Sequence, residues 1–256
     1  MRLRPYLGLL WRGFKNWSSF TDWCRATPIA PAETSNTLLE YFNSHTEGRG
    51  IWKFLHYFPI YERYFSQFRG KEVHILEIGI YSGGSLEMWR EYFGPRCSVY
   101  GVDIEPNCKT YENSSVRVFI GDQSDRTFWK DFKKQVPILD IVIDDGGHEP
   151  EQQIATLEEL LPHLRPGGIY LCEDIIRPFN LFSSYLCGMA QNLNAFEFEA
   201  HLDDNERRQI CKAQPLQTAL QAIHFYPFAA VLERSATNPS EMVCPKKGTS
   251  WEPFLT

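Results

Sequence analysis

The chain has 256 residues, of which 43% are hydrophobic and 14% aromatic, so it can bury one sizeable core and carry appended segments. Its formal net charge is −6 and it contains no long basic run, which argues against a nucleic-acid-binding surface. Its seven cysteines lack C-x-x-C spacing and therefore indicate free thiols in a reducing compartment, the cytoplasm, instead of a zinc site or a disulfide framework.

The first predicted element is an amphipathic helix near the amino terminus. Its apolar side chains recur at alternating spacings of four and three residues: Leu3, Leu7, Leu10, Phe14 and Trp17. This stripe predicts packing on the protein body or on a second subunit, and hence a homo-oligomer, with binding to a membrane interface as the alternative. No apolar stretch approaches the roughly 20 residues that a transmembrane helix needs. Residues 1–48 are predicted to be a helical extension of a domain over residues 49–256.

A helix predicted over residues 50–68 leads into the core, with Tyr57 and Tyr61 in the core or the wall of a pocket. A buried strand follows from Val73, and a glycine-rich turn comes directly after it. Glycines let the backbone approach a bound nucleoside because no Cβ stands in the way. The spacing is E-x-G-x-x-x-G, which differs from the G-x-G-x-x-G of dinucleotide sites.

The acid at the end of this first strand indicates the type of cofactor. Glu77 disfavours a pyrophosphate at the turn and suits a cationic amino-acid group, such as the methionine end of S-adenosylmethionine. We therefore predict cofactor contacts from the strand end and its turn: Glu77, Gly79, Tyr81, Gly83 and Ser85.

The next two predicted strands also end in polar residues. The second strand, residues 99–103, ends in Asp103, at a position that commonly accepts both ribose hydroxyls. The third strand, residues 116–121, is followed by Asp122 and Gln123, which are well placed to lie near the adenine.

Acidic pairs close the fourth and fifth predicted strands. The run from Ile141 ends in Asp144, Asp145, Gly146, Gly147 and His148. The run from Gly168 ends in Glu173 and Asp174, after a helix predicted over residues 151–161. Parallel strands bring such ends together at one edge, where open α/β folds bind ligands. Several carboxyl groups and a histidine there are costly unless a cation or a reaction uses them, although aspartates can also simply cap a turn.

The segment after the second acidic pair interrupts the pattern of strands. Residues 177–218 are predicted to be a polar, helical insertion that begins at the ligand-binding edge, and hence a lid or substrate wall. A surface helical pair with structural duties only is the alternative. Strands resume over residues 219–234, with residues 229–232 predicted to be antiparallel.

The ordered motifs E-I-G-x-x-x-G, V-D-I, G-D-Q-S-D, I-D-D-G-G-H and E-D resemble those of class I S-adenosylmethionine-dependent methyltransferases. More narrowly, they are similar to the magnesium-dependent macrolide sugar O-methyltransferases of the mycinamicin and tylosin type. The resemblance covers roughly residues 50–255 and includes the sequence W-K-F-L-H-Y at residues 52–57. It implies an α/β fold, a Rossmann-like, doubly wound, mostly parallel seven-stranded sheet with an antiparallel last strand, to which the residues themselves add the predicted helical amino-terminal extension and helical lid. Gly147 stands where the resemblance would place serine, and the amino terminus has no counterpart in it.

The resemblance also implies roles for the acidic edge. Asp145, Glu173 and Asp174 would hold a magnesium or manganese ion, His148 would be the general base, and Asp144 would face the amino group of the cofactor. With Asp145 and His148 as catalytic residues, the implied activity is methyl transfer to a hydroxyl of a small molecule, a sugar or a glycosylated natural product.

Two other functions remain compatible with these motifs. One is a metal-independent methyltransferase that acts on nitrogen or another acceptor, and the other is a non-catalytic S-adenosylmethionine-binding protein on the same fold. Glu77 and the glycine spacing oppose a dinucleotide-dependent oxidoreductase.

Overall fold

The computed structural model describes residues 3–15, 36–195, 201–203, 208–245 and 247–248. The chain divides into two units, residues 1–35 and residues 36–256. In the first unit, helix α1 spans Leu3–Lys15 and ends in a basic turn, as the stripe predicted. Trp17 of that stripe lies outside the described residues. None of the helices in the described ranges is long and apolar enough to cross a membrane.

The second unit alternates strands and helices. Its helices are α2 (Thr37–Ser44), α3 (Phe58–Phe65), α4 (Gly84–Phe93), α5 (Arg126–Lys133), α6 (Pro150–Leu160), α7 (Leu181–Leu193) and α8 (Pro215–Ala219). Its first five strands are β1 (Val73–Ile78), β2 (Cys97–Asp103), β3 (Val116–Ile120), β4 (Leu139–Asp144) and β5 (Leu164–Cys172). The later strands are β6 (His201–Asp203), β7 (Arg208–Lys212), β8 (Leu220–Tyr226), β9 (Ala229–Arg234) and β10 (Glu241–Pro245).

Seven of these strands form one sheet in the order β3-β2-β1-β4-β5-β9-β8. The first five pair in parallel, whereas β9 runs antiparallel to both of its neighbours. The central strands β1 and β4 are buried along nearly their whole length, as expected for parallel strands covered by helices on both faces. The predicted Rossmann-like, mostly parallel seven-stranded sheet with its antiparallel last strand is confirmed.

Two apolar clusters cover the two faces of this sheet. One contains Tyr61 and Trp89 from α3 and α4, and the other contains Trp129, Leu157 and Phe182 from α5, α6 and α7. Alternating side chains of β1 enter opposite clusters, because successive residues of a strand point to opposite faces. The carboxyl ends of β1 to β5 are thereby held in register at one edge of the sheet.

The segment before β1 is less helical than predicted. Residues 51–54 are not helical, a 3₁₀ turn covers Leu55–Tyr57, and α3 begins only at Phe58, with Pro59 in its first turn. Helix α2 also belongs to the larger unit, since Leu38 is buried in its core. The division between the two compact units falls after residue 35.

The predicted insertion over residues 177–218 is not helical throughout, since two strands lie between helix α7 and the short helix α8. Helix α7 buries Phe182 and Leu186 in the core, at the usual place for a helix between two strands of the sheet. Strands β6 and β7 follow, and β10 pairs with β7 to make a small sheet in the order β10-β7-β6. Local spacing could not reveal the pairing of β7 with β10, because the two strands lie about 30 residues apart along the chain. The predicted lid role stays a prediction.

The six cysteines in the described ranges are free thiols, as predicted. Cys24 lies outside these ranges.

Candidate active site

A cavity of about 710 Å³ opens at the carboxyl edge of the sheet. Its walls come from the turn after β1, the ends of β2 and β3, the turn after β4, the end of β5, and residues 50–54 before α3. Trp52 stands at its mouth with 87% of its surface exposed. The strand ends predicted to meet at this edge therefore share one cavity.

The glycine turn after β1 brings two backbone segments together. Gly79 has a φ of +80°, and a Cβ on it would collide with the carbonyl oxygen of Asp145. Gly84 is equally tight, because a Cβ there would strike the carbonyl oxygens of Arg49 and Gly50. Gly83 has a φ of +78° and adjoins the ring of Tyr111, but it is not part of the cavity wall. Of these three glycines, only Gly79 forms part of the cavity floor.

Glu77 is fully buried at the end of β1 and lines this floor. Its Oε2 accepts a hydrogen bond of 2.7 Å from the Ser85 hydroxyl, while its Oε1 accepts none from the described residues. Burial raises the pKa of Glu77, which the Lys53 ammonium and the Ser85 hydroxyl oppose. A buried carboxylate oxygen without a hydrogen bond is rare and suits a cationic donor.

The residues predicted to hold the nucleoside also line the cavity. Asp103 Oδ2 accepts a hydrogen bond of 3.0 Å from the Tyr81 backbone N–H. Tyr81 lies 73% exposed in a left-handed conformation, with a φ of +44°. Asp122 is exposed, and its Oδ1 accepts hydrogen bonds from the backbone and hydroxyl of Ser124.

Gln123 reaches from the end of β3 to the turn after β4. Its Oε1 accepts a hydrogen bond of 2.7 Å from the Gly147 N–H, and its Nε2 donates to Asp144 Oδ1 at 3.1 Å. The side chain lines the cavity, yet its carboxamide is committed to holding the Gly146–Gly147 turn in place.

The two aspartates that end β4 lie in different environments. Asp145 lines the cavity, whereas Asp144 is not part of its wall. Asp144 is buried, and its Oδ2 accepts a hydrogen bond of 2.7 Å from the Tyr170 hydroxyl. Burial raises the pKa of Asp144 to about 7, against the opposing effect of the bonds from Tyr170 and Gln123. Successive strand residues point to opposite faces, so only one carboxylate of this pair enters the cavity.

Asp145 meets His148 and Asp174 across the ends of β4 and β5. One nitrogen or oxygen atom of each lies within 4.8 Å of the others, and His148 Nε2 is 3.7 Å from Asp174 Oδ2. His148 and Asp174 both adopt left-handed backbone conformations, with φ of +58° and +54°. Strained residues of this kind persist where the surroundings fix them and often mark functional sites. Two carboxylates and an imidazole suit a divalent cation.

Glu173 lies beside this group but is engaged elsewhere. Its Oε1 accepts a hydrogen bond of 2.7 Å from the Tyr61 hydroxyl, and its Oε2 accepts one of 3.1 Å from Lys53. Asp174 Oδ1 accepts a hydrogen bond of 2.7 Å from the Tyr57 hydroxyl. Tyr57 and Tyr61, four residues apart, therefore each hold one of the two acids that follow β5. Burial raises the pKa of Glu173.

Sequence reasoning missed Lys53, which lies at the centre of the acids. Its side chain is only 3% exposed, and its Nζ lies 2.6 Å from Asp145, 3.1 Å from Glu173 and 3.3 Å from Glu77. Burial alone would lower the pKa of Lys53, but the three carboxylates raise it well above its ordinary value. A signal was available, because a lysine between Trp52 and Phe54 interrupts an apolar stretch, and buried lysines are almost always paired.

The fold and cavity agree with comparisons to known proteins. Residues 76–175 match a family model described as a methyltransferase domain. These residues are therefore similar to a methyltransferase domain. The chain is 30% identical to the 8-demethyl-8-alpha-L-rhamnosyl tetracenomycin-C 2'-O-methyltransferase of Streptomyces olivaceus over an alignment of 210 residues. This alignment covers 75% of this chain and 53% of that relative. The chain is also 40% identical to the demethylmacrocin O-methyltransferase of Streptomyces fradiae over 132 residues. This second alignment covers 48% of this chain and 33% of that relative.

The chain also resembles a solved structure. The match is to the MycE methyltransferase from the mycinamycin biosynthetic pathway in complex with Mg and SAH, with a TM-score of 0.62 and 27% identity over 79% of this chain and 54% of that chain. The similarity to macrolide sugar O-methyltransferases inferred from the motifs is confirmed. The chain spans about a third to about a half of the length of these relatives.

The residues present fit both groups that such a domain implies. The Glu77 Oε1 atom and the bare backbone of the glycine turn suit the ammonium end of S-adenosylmethionine. The carboxylates of Asp145 and Asp174 are hard oxygen donors of the kind that magnesium prefers, and His148 lies within reach of both.

Proposed function

We propose that this protein is a metal-dependent O-methyltransferase that uses S-adenosylmethionine. One observation carries the proposal: a single cavity joins the cofactor cradle, Glu77 and Asp103, to the cluster of Asp145, His148 and Asp174. For the acceptor we propose a hydroxyl of a sugar attached to a natural product. The support for that finer statement is that the matched relatives are named as O-methyltransferases of glycosylated compounds.

The cofactor supplies a methyl group that is already electrophilic, so the protein has to position a hydroxyl in line with it. Glu77 would accept the ammonium group of the cofactor, and Asp103 would accept its ribose hydroxyls. Both ends of the cofactor would thus be held in the same cavity that Asp145 and His148 line. The proposed cofactor contacts are those predicted from the sequence, apart from Asp144 and Gly83, which do not line the cavity.

The acidic cluster would prepare the acceptor. Asp145 and Asp174, with Glu173 beside them, would hold a divalent cation, which as a Lewis acid lowers the pKa of a nearby hydroxyl. His148 would take the hydroxyl proton, an assistance worth roughly 10² to 10⁴ in rate. Asp174, whose Oδ2 lies 3.7 Å from His148 Nε2, would orient the imidazole.

The test combines cofactor binding, metal removal and acceptor screening. S-adenosylhomocysteine should bind in calorimetry, and Glu77→Ala should weaken that binding. Glycosylated macrolides and rhamnosylated polyketides should be methylated in the presence of magnesium, detected by mass spectrometry. EDTA should abolish the activity, magnesium should restore it, and Asp145→Asn should lower it sharply. Absence of S-adenosylhomocysteine binding would refute the cofactor assignment.

A metal-independent methyltransferase is the second candidate, and Lys53 is the observation that favours it. Its ammonium already neutralises part of the acidic cluster, which could then serve as a scaffold without a metal ion. The EDTA experiment separates the two candidates, since full activity of the EDTA-treated enzyme would establish the second.

A further inference from the structure

Lys53 is a buried cation inside a group of acids that is proposed to bind another cation. Among the ion pairs of the described residues, Lys53 is the cation paired with Glu77, Asp145 and Glu173. Removing an ammonium group from water is costly unless carboxylates compensate it, and here three do. Lys53 therefore supplies the positive charge that compensates these three carboxylates.

Asp145 belongs to two arrangements at once. Its Oδ2 accepts a hydrogen bond of 2.6 Å from Lys53, and the same carboxylate is one corner of the cluster with His148 and Asp174. A divalent cation at that cluster and an ammonium on the same carboxylate would repel each other at short range. Binding of the divalent cation thus requires Lys53 to withdraw from Asp145, and from Glu173 if that acid joins the ion.

The structure offers the ammonium a place to go. Glu77 Oε1 lies 3.3 Å from Lys53 Nζ, is buried, and accepts no hydrogen bond from the described residues. A small movement of the lysine head group would convert this ion pair into a hydrogen bond while releasing Asp145.

We propose that Lys53 is an exchangeable counter-cation, a positioning residue that pairs with Asp145 and Glu173 when no divalent cation is bound and withdraws towards Glu77 when one binds. The proposal rests on the proposed function in one respect, namely that a divalent cation binds at this cluster. It gives Lys53 two measurable effects. Lys53 stabilises the metal-free protein, and it competes with the metal for the same carboxylates.

The experiment measures Mn²⁺ binding to cofactor-free protein, with free Mn²⁺ read by electron paramagnetic resonance. Lys53→Met removes the competitor while keeping the length of the side chain, so Mn²⁺ affinity should rise at least about tenfold, because a dication no longer displaces an ammonium. Lys53→Arg keeps the charge and should stay much closer to the wild type. Lys133→Met removes a lysine that pairs with Glu159 outside the cavity, and it should leave Mn²⁺ affinity unchanged.

Thermal unfolding supplies a second readout and a check on folding. Without metal, Lys53→Met should melt below the wild type, and Mg²⁺ should raise its melting temperature by more than it raises that of the wild type. If Lys53→Met does not fold, Lys53→Gln serves in its place. Glu77→Gln removes the charge that receives the ammonium, so it should weaken Mn²⁺ binding when Lys53 is present and have little effect in the Lys53→Met background.

The outcomes separate this inference from the proposed function. If the wild type binds Mn²⁺ and Lys53→Met binds it no more tightly, Lys53 does not compete and the inference is overturned while the metal site stands. If neither protein binds Mn²⁺, the metal dependence in the proposed function fails as well. Tighter binding by Lys53→Met, together with the background-dependent effect of Glu77→Gln, supports the exchange.

Discussion

At the scale of single residues, two glycines of the cavity differ in what a side chain would meet. A Cβ on Gly79 would collide with the Asp145 backbone, and the φ of +80° is unfavourable for alanine. A Cβ on Gly147 would meet only the flexible end of Gln152. Gly79→Ala should therefore cost about 1–3 kcal/mol for the conformation alone, and more because Asp145 must move. Gly147→Ala should cost less than about 1 kcal/mol.

Urea denaturation of both variants checks this pair, and calorimetry with S-adenosylhomocysteine shows whether the cavity has changed. Equal losses of stability in the two variants would contradict the difference between a backbone collision and a side-chain collision.

His148 is the residue whose removal should affect the chemical step most selectively. His148→Ala should lower kcat by roughly 10² to 10⁴ and leave the affinity for S-adenosylhomocysteine unchanged, because the imidazole acts mainly in the transition state. The residual rate should rise with pH as hydroxide or a more ionised acceptor replaces the base. Steady-state kinetics across pH would measure this, and a variant with wild-type kcat would remove His148 from the mechanism.

The sequence predicts the carboxylates of the candidate site better than it predicts the residues that donate hydrogen bonds to them. Glu77, Asp103, Asp145 and Asp174 follow buried strands, so the sheet alone brings them to one edge, and the structure places them around one cavity. The hydrogen-bond donors to Asp145, Glu173 and Asp174 come from residues 53–61, which lie 92 to 120 positions away along the chain. No local spacing encodes pairing at that distance, so Lys53 could be suspected only from its apolar neighbours.

At the scale of elements, charged side chains join α5 to α6 on the face away from α4. Glu159 of α6 accepts hydrogen bonds of 2.8 Å from Lys133 and 3.1 Å from Arg126, and Glu158 also pairs with Arg126. Two hydrogen bonds, the one from Lys133 with the larger effect and the one from Arg126 with the smaller, hold the pKa of Glu159 below its ordinary value in spite of partial burial. The pair of helices is thus tied together by charge as well as by its apolar faces.

Glu159→Gln should lower the stability by about 0.5–1 kcal/mol at pH 7, a modest value because Arg126 is about half exposed. Since the folded-state pKa of Glu159 is depressed, its contribution is present above the unfolded value of about 4.3 and is lost as pH falls through the folded value. The difference between the wild type and the variant in urea should therefore shrink between pH 5 and pH 3. A constant difference would show that Glu159 contributes by packing.

Elements were predictable where their hydrophobic pattern is continuous. Strands β1 to β5 and helix α6 appear where the apolar runs and the helical spacing placed them. The insertion was predicted less well, because β7 pairs with the distant strand β10 as well as with β6, and this pairing is not encoded in the local periodicity of the segment. Helix α3 begins later than predicted, since the chain before it runs along the cavity wall to deliver Lys53.

At the scale of the whole molecule, the active site is larger than the matched domain. The family match covers residues 76–175, yet Lys53, Tyr57 and Tyr61 lie before it and hold its acids. A chain starting at residue 70 should aggregate and lose S-adenosylhomocysteine binding, because it exposes buried core and leaves Glu173 without donors. A chain starting at residue 36 keeps the entire larger unit and should retain that binding.

Size-exclusion chromatography with light scattering and calorimetry checks both truncated chains. S-adenosylhomocysteine binding at wild-type affinity by the shorter chain would show that the acids do not depend on the segment before β1. A change in oligomeric state confined to removal of residues 1–35 would assign the apolar stripe of α1 to contacts between subunits.

The exposed indole at the cavity mouth makes this protein its own spectroscopic probe. Trp89 and Trp129 are fully buried in the two apolar clusters, so their emission should stay constant and blue-shifted during ligand titrations. Trp52, by contrast, should emit at longer wavelength and be open to quenching by acrylamide until a ligand covers it. The difference between the wild type and Trp52→Phe isolates that signal, so occupancy by any candidate acceptor can be followed without labels and before turnover is detected.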